Sequence, residues 1–240
     1  MTTTNGDLRI LLFDIDGTLL VPVRRGIYTA QVRRALIDIF GTAGIISEVS
    51  FGGKTDLQIL REALTVEGIT PEQIHAALPA IEDRFTAILK EMENDGPIFT
   101  CCPGVVALLE SLSQESRYLL SILTGNVEPL AWAKLQSVGL AHYFQQRGAF
   151  GSDGEDRLIL PAIAAQRITE ALGGAALAPA QFVIIGDTPR DIACARHFGA
   201  RVFAVASGAA TVAELAAAQP DLLLEDLSCT NRVMAALREL

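Results

Sequence analysis

The sequence of 240 residues is short of basic side chains, and its only lysines are Lys54, Lys90 and Lys134. Lysine and arginine together number 19 against 28 aspartates and glutamates, which gives a formal charge of −9. Such a chain repels polyanions, so we expect no nucleic-acid partner. A small anionic substrate stays compatible with this charge if a metal ion or a local cation reverses the field at its site.

Long apolar runs are also absent from the sequence. No run approaches the roughly 20 residues that span a bilayer, so we expect no membrane partner. Residues 1–7 are polar and lack the basic stretch and apolar segment of a signal peptide. The sequence therefore predicts a cytoplasmic protein.

Cysteine is scarce, and the four cysteines show neither a CxxC pair nor the histidine spacing of a zinc site. Free cysteine is among the most buried residue types. We therefore expect reduced thiols that fill space at Cys101, Cys102, Cys194 and Cys229.

Hydrophobic residues make up 50% of the chain, and they come in short blocks separated by helix-compatible sequence. This alternation predicts an α/β fold, with a doubly wound parallel sheet and helices on both faces. The strand-like blocks are 10–13, 119–123, 182–185, 201–205 and 222–224.

The interval between the first two blocks is far longer than the dozen or so residues that a crossover in such a sheet needs. We therefore expect a helical insertion at residues 19–99, with residues 1–18 and 100–240 forming the core. Its hinges are expected near 19–25 and 94–103, where glycine and proline mark turns. The interval shows no clear strand, and its helix-like segments are 28–40, 56–67 and 72–92.

The first block is followed directly by Asp14-Ile15-Asp16-Gly17-Thr18, which places two carboxylates at the carboxyl end of a strand. Ligands bind at that edge of open α/β sheets. Taken alone, the segment is equally typical of a turn, in which aspartate and glycine are common.

Two further strand ends carry polar groups. The block 182–185 is followed by Gly186-Asp187-Thr188-Pro189-Arg190-Asp191. The threonine, the proline and the second aspartate suit a helix cap, but capping does not need Asp187. The block 119–123 is followed by Gly125 and Asn126 after Thr124, which offer a hydroxyl and backbone N–H groups suited to an anion. Compatible groups therefore follow three strands.

In this order the motifs resemble those of the haloacid dehalogenase superfamily, specifically its phosphatase branch and its phosphoglycolate phosphatase-like members. The segment 14–18 matches the family's DxDGT motif, Thr124 its second motif, and Gly186-Asp187 with Asp191 its GDxxxD motif. The resemblance implies a Rossmann-like core, a helical cap inserted after the first motif, Mg²⁺ dependence and an aspartyl-phosphate intermediate.

The resemblance also implies roles for the four aspartates. Asp14 is the nucleophile and a Mg²⁺ ligand. Asp16 gives its backbone carbonyl to the metal, and its carboxyl protonates the leaving oxygen and later takes a proton from water. Asp187 completes the metal site directly, and Asp191 does so directly or through a water.

Phosphate is expected at Thr124, Gly125 and Asn126, together with a cation from the family's third motif, which is usually lysine. The sequence departs from that pattern, because the one lysine between the second and last motifs is Lys134. Its mid-helix setting predicts a surface residue. Arg157 is therefore the expected phosphate ligand, since an arginine fork can bind phosphate.

Two other arginines, Arg147 and Arg167, are the alternatives for this role. An exposed Arg157 that pairs with Glu155 or Asp156 also stays open.

In the insertion, the segment 51–56 resembles the cap loop of phosphoglycolate phosphatase-like members. Lys54 of this loop is expected to reach over the substrate, although a surface lysine in a turn loosened by glycine stays open. Arg24 and Arg25 near the first hinge are weaker candidates.

The sequence thus predicts a Mg²⁺-dependent phosphatase that acts on a small phosphorylated metabolite. A phosphomutase of the same superfamily would use the same residues. A non-catalytic phosphate- or metal-binding protein on the same fold is the alternative from a different class.

Overall fold

A computed structural model of the chain describes residues 8–24, 26–144, 147–174 and 176–240, so Arg25 lies outside the described residues. The strands in these ranges are β1 (Arg9–Phe13), β2 (Leu20–Pro22), β3 (Phe99–Cys101), β4 (Tyr118–Ile122), β5 (Phe182–Gly186), β6 (Arg201–Val205) and β7 (Leu222–Leu224). The α-helices are α1 (Ile27–Phe40), α2 (Asp56–Leu64), α3 (Pro71–Ala76), α4 (Leu78–Glu93), α5 (Val105–Ser113), α6 (Glu128–Ser137), α7 (Leu160–Ala171), α8 (Pro189–Phe198), α9 (Val212–Ala217) and α10 (Thr230–Glu239).

Five strands form a parallel sheet in the order β4-β1-β5-β6-β7, which confirms the predicted fold class. The strands are mostly apolar, as expected of a parallel sheet that helices cover on both faces. In β1, Leu11 and Phe13 pack into one hydrophobic cluster, and Ile10 and Leu12 pack into the other. The strand order reverses at β1, and this topological switch point brings the carboxyl ends of β4, β1 and β5 together.

Among the described residues, the insertion predicted at 19–99 holds four α-helices, α1 to α4. Its three predicted helical segments are observed, but the third is divided between α3 and α4 at Ala77. Pro79 lies in the first turn of α4, where a missing N–H breaks no helical hydrogen bond. The buried residues of α4 recur at helical spacing and form its apolar face: Ile81, Phe85, Ile88, Leu89 and Met92.

The expectation that this interval contains no strand is wrong. β2 and β3 pair as a two-stranded antiparallel ribbon, with Leu20 opposite Cys101 and Pro22 opposite Phe99. Strands of three residues are too short for an alternating pattern to be visible in the sequence. The ribbon lies where the hinges are predicted, and the limits of the insertion at residues 19–99 stay a prediction.

The described helices include none that is long and apolar enough to cross a membrane. All four cysteines are free thiols. Cys102 and Cys194 are buried and Cys101 is half-buried, as expected, but Cys229 is exposed and does not fill space in the core.

Candidate active site

The nucleophile candidate, Asp14, follows β1 directly. Its backbone N–H donates to the carbonyl of Ile185 at 2.9 Å, which extends the pairing of β1 with β5. The end of β5 then brings Asp187 and Asp191 close to it. One carboxylate oxygen of each aspartate lies within 4.8 Å of the others, and all three residues are buried. The structure therefore brings together three of the four predicted metal-binding aspartates by their carboxylates.

Burial raises the affinity for protons of two of these carboxylates, those of Asp14 and Asp187. Burial raises the pKa of Asp14 to about 6, with Arg157 opposing the shift and Asp191 adding to it. Burial likewise raises the pKa of Asp187 to about 8, and the charges of Asp14 and Asp191 add to that shift. Like charges in a low-dielectric site disfavour ionisation. A cation bound among them would relieve this cost.

Two glycines make the space that Asp187 occupies. A Cβ at Gly17 or at Gly208 would overlap Oδ2 of Asp187, and Gly17 has a φ of +87°, which favours glycine. Thr18 is fully buried, and its hydroxyl donates to Oδ1 of Asp187 at 3.2 Å. Gly17 and Thr18 of the first motif therefore shape the space around Asp187 of the last motif.

Asp191 caps a helix and joins the site at the same time. Its Oδ2 accepts hydrogen bonds from the backbone N–H of Thr188 at 3.0 Å and from the Thr188 hydroxyl at 2.6 Å, in the capping box of α8. Its Oδ1 accepts from Nη2 of Arg157 at 2.6 Å. Helix capping and a role in the site are therefore compatible.

Arg157 is the cation of the carboxylate cluster. It is buried, and its Nη2 also lies 3.2 Å from Oδ1 of Asp14. Burial alone would lower the pKa of Arg157, but the carboxylates of Asp191 and Asp14 overcome this and raise it. The guanidinium therefore stays charged, and the alternative of an exposed arginine is wrong. Of the other arginines considered, Arg167 pairs with Asp153 at 2.7 Å and Arg147 is exposed.

The segment after β4 lies beside this cluster. Thr124 is buried, and its hydroxyl oxygen accepts from Nδ2 of Asn126 at 2.9 Å. The same amide donates to Oδ2 of Asp16 at 2.7 Å. A Cβ at Gly125 would overlap the backbone carbonyl of Lys54, so only glycine allows the cap loop to approach this closely.

Known proteins are similar to this chain in both sequence and fold. A family model described as HAD-hydrolase-like matches residues 162–229. Over 234 residues the chain is 30% identical to the probable phosphatase IndB of Dickeya dadantii, covering 91% of this chain and 90% of that one. The chain belongs to the haloacid dehalogenase-like hydrolases.

Further comparisons agree with this assignment. The hydrolase is 23% identical to a phosphoglycolate phosphatase of Vibrio vulnificus, over 94% of this chain and 95% of the relative. The crystal structure of a predicted phosphoglycolate phosphatase from Haemophilus somnus 129PT matches its fold with a TM-score of 0.65 at 20% identity, covering 98% of this chain and all 100% of the other. The hydrolase is a member of the family's phosphatase branch.

The expectation that Lys134 of the hydrolase is a surface residue is wrong, because only 3% of its side chain is exposed. Its Nζ donates to both carboxylate oxygens of Asp16, at 2.7 and 2.9 Å, and to Oδ1 of Asn126 at 2.7 Å. The signal for its burial is the position on α6, since it shares the buried face with Leu130 and Ala131, four and three residues earlier.

Two other predicted residues, Asp16 and Lys54, have side-chain partners outside the carboxylate cluster. The Asp16 side chain is 44% exposed, and it faces Lys134. The ammonium of Lys54 pairs with the carboxylate of Glu62 in α2. Substrate contact by Lys54 therefore stays a prediction.

The cap loop of the hydrolase is fastened to the segment after β4 by Asp56, a residue that the sequence did not single out. Its backbone N–H donates to the carbonyl of Gly125 at 2.7 Å, and its Oδ2 accepts from the N–H of Val127 at 2.8 Å. Burial raises the pKa of Asp56 to about 6, while the bond from Val127 opposes the shift. The cap thus lies against the strand ends.

Proposed function

We propose that this hydrolase removes the phosphoryl group from a small phosphate monoester of the phosphoglycolate kind, with Asp14 as the nucleophile. The observation that carries the proposal is the setting of Asp14 at the end of β1, between the Arg157 guanidinium and two further buried carboxylates. The phosphatase and phosphoglycolate phosphatase relatives support it.

The carboxylate cluster fits a Mg²⁺ ion. Mg²⁺ prefers oxygen ligands and keeps waters and substrate phosphate in its coordination shell. Asp14, Asp187 and Asp191 would hold it, together with the backbone carbonyl of Asp16. The raised pKa values of Asp14 and Asp187 support this fit, because the cluster lacks enough positive charge of its own. When bound, Mg²⁺ would neutralise the phosphoryl oxygens and so permit attack by an anion.

Protein groups would hold the phosphoryl group in line with Asp14. Arg157 can offer its guanidinium fork to two phosphoryl oxygens, since such forks bind phosphate bidentately. The Thr124 hydroxyl and the Gly125 N–H would bind further oxygens, with Asn126 fixing the hydroxyl. Attack by an oxygen of Asp14 then forms the aspartyl phosphate while the bond from phosphorus to the leaving oxygen breaks.

Asp16 is proposed to transfer the protons. It protonates the leaving oxygen as the bond to phosphorus breaks, so that the product departs as an alcohol. It then takes a proton from the water that attacks the aspartyl phosphate. That second step releases inorganic phosphate, frees the Asp14 carboxylate and returns Asp16 to its protonated form.

The substrate class is tested by screening phosphorylated metabolites against the purified protein with Mg²⁺ and measuring inorganic phosphate. We expect release of phosphate to water, with phosphoglycolate-like esters preferred, and an acid-stable phosphoryl label that Asp14→Asn lacks. Asn has a poor nucleophile in place of the carboxylate, so we expect kcat to fall by at least about 10³-fold. Transfer of the phosphoryl group between sugar hydroxyls would instead identify a phosphomutase, and near-normal turnover by Asp14→Asn would overturn the nucleophile assignment.

A further inference from the structure

A second buried cation, Lys134, lies next to the reactive groups without a role in the chemistry proposed above. Its ammonium is 5.2 Å from the ring centroid of Phe99 in β3. Three donated hydrogen bonds, two to Asp16 and one to Asn126, match the three N–H groups that a lysine carries. Burying an ammonium is costly unless it is paired and hydrogen-bonded, so this arrangement is specific.

The contacts of Lys134 continue into the phosphate-binding segment. Asn126 accepts from Lys134 with Oδ1, and with Nδ2 it donates to both Asp16 and Thr124. The Thr124 oxygen is thereby used as an acceptor, which leaves the proton of its hydroxyl to be donated to another group. One network therefore connects the proposed acid and base with a proposed phosphate ligand.

Asp16 needs such support because it is the most exposed of the four aspartates. A half-exposed carboxylate can occupy several rotamers in water, but Lys134 contacts both of its oxygens and Asn126 contacts one. Proton transfer to or from a reacting oxygen requires a hydrogen-bond distance and a fixed direction. The other cation of the site, Arg157, contacts Asp14 and Asp191 instead.

We propose that Lys134 is a positioning residue that holds the Asp16 carboxyl group in the orientation required for its proton transfers. This inference rests on the proposed function. Lys134 donates two of its three hydrogen bonds to Asp16, so its removal should slow most the steps that need a directed proton. Attack by Asp14 on an ester with a good leaving group needs no proton from Asp16, whereas hydrolysis of the aspartyl phosphate needs a base.

The test compares Lys134→Met with wild type on an aryl phosphate and an alkyl phosphate in rapid-mix experiments. Methionine keeps most of the buried stem. With p-nitrophenyl phosphate, we expect a burst of nitrophenol of normal rate, followed by turnover about 10- to 100-fold slower, as for other residues that orient reactive groups. The alkyl ester should show a slow first step as well. KM for the aryl ester should not rise.

Three controls make the result decisive. Lys90→Met, at an exposed lysine of α4, should behave as wild type. In an Asp16→Asn background, Lys134→Met should cause no further loss of turnover, because its effect passes through Asp16. Lys134→Arg should restore part of the lost turnover. Should Lys134→Met fail to fold by circular dichroism, Lys134→Gln serves for the same measurements.

Equal loss in the burst and in steady-state turnover, or additive losses in the double variant, would overturn the positioning role. A burst that persists in Asp14→Asn would overturn the proposed function instead. If Asp14→Asn is inactive and Lys134→Met matches wild type, the positioning role of Lys134 is overturned and the proposed function stands.

Discussion

Removal of the Arg157 side chain should lower both stability and activity, because the side chain pairs with two buried aspartates. Its guanidinium is the cation in contact with Asp14 and Asp191, both buried. We expect Arg157→Ala to destabilise the metal-free protein by about 3–5 kcal/mol, because it leaves buried carboxylates without a counter-ion. Its activity should fall towards all phosphate esters, since they share the phosphoryl group. Urea unfolding and a substrate panel measure the two effects.

The matched control is Arg167→Ala, whose side chain is 39% exposed and pairs with Asp153 outside the cluster. It should cost far less stability and little activity. A reversed ranking of the two variants would show that the phosphate cation has been assigned to the wrong arginine.

Lys54 is expected to affect the choice of substrate rather than the chemistry. Lys54→Ala removes the ammonium paired with Glu62 in the cap. We expect KM for the preferred ester to rise, or the ranking of substrates to change, while phosphoenzyme formation persists. Steady-state kinetics on the same panel, with Lys90→Ala as the control, measure this. A profile superimposable on wild type would exclude Lys54 from substrate binding.

Most of the carboxylate cluster could be predicted from the positions of its aspartates in the sequence, because parallel strands bring their carboxyl ends to one edge of the sheet. Asp14 and Asp187 directly follow β1 and β5, and Asp191 lies in the first turn of α8. Lys134 could not be predicted in this way. Its partner Asp16 is 118 positions away, and a lysine inside a helix is usually exposed. Only its place on the buried face of α6 indicates otherwise.

Among the elements, the cap loop and the segment after β4 approach each other at Gly125. A Cβ there would overlap the Lys54 carbonyl, so Gly125→Ala should push the loop away and break the contact of Asp56 with the carbonyl at position 125. We expect faster hydrogen exchange in residues 51–56 and a higher KM. Gly52→Ala is the control, because a Cβ at Gly52 has open space around it. Equal exchange in both variants would contradict this prediction.

The elements that the sequence did not predict are short or shaped by tertiary contacts. β2 and β3 have three residues each, and what stabilises them is their pairing across 76 or more intervening residues rather than any local pattern. The interruption between α3 and α4 at Ala77 is likewise weakly marked, since a proline within a helical pattern permits either a kink or a new start. The longer strands of the core sheet and helix α1 could be predicted from their local sequence patterns alone.

For the whole molecule, the buried carboxylates connect stability with pH and with metal. The folded-state pKa values of Asp14, about 6, and Asp187, about 8, lie above the ordinary 3.8, so the folded protein keeps protons that the unfolded chain releases. The free energy of unfolding of the metal-free protein should therefore fall as pH rises from 4 to 8. Urea unfolding in a chelator, at several pH values, measures this.

Asp187→Asn should flatten the upper part of this profile, because the amide does not titrate. Excess Mg²⁺ at pH 8 should raise the free energy of unfolding of the wild type, since a cation that binds the folded state stabilises it. A metal-free profile that is flat between pH 4 and 8, or no effect of Mg²⁺, would contradict the account of the cluster.

The ribbon of β2 and β3 also determines where the chain can be divided when segments are exchanged with a relative. Both chain crossings between the sheet and helices α1 to α4 pass through it, and Asp16 lies only four residues before its first strand. Because the two crossings are hydrogen-bonded to each other, we expect helices α1 to α4 to move relative to the sheet about a single axis. Two unpaired connections would permit movement in more directions. A chimera that borrows these helices from a relative should therefore be joined outside residues 20–101. A junction inside the ribbon would break the pairing between the two crossings and disturb the loop that carries Asp16.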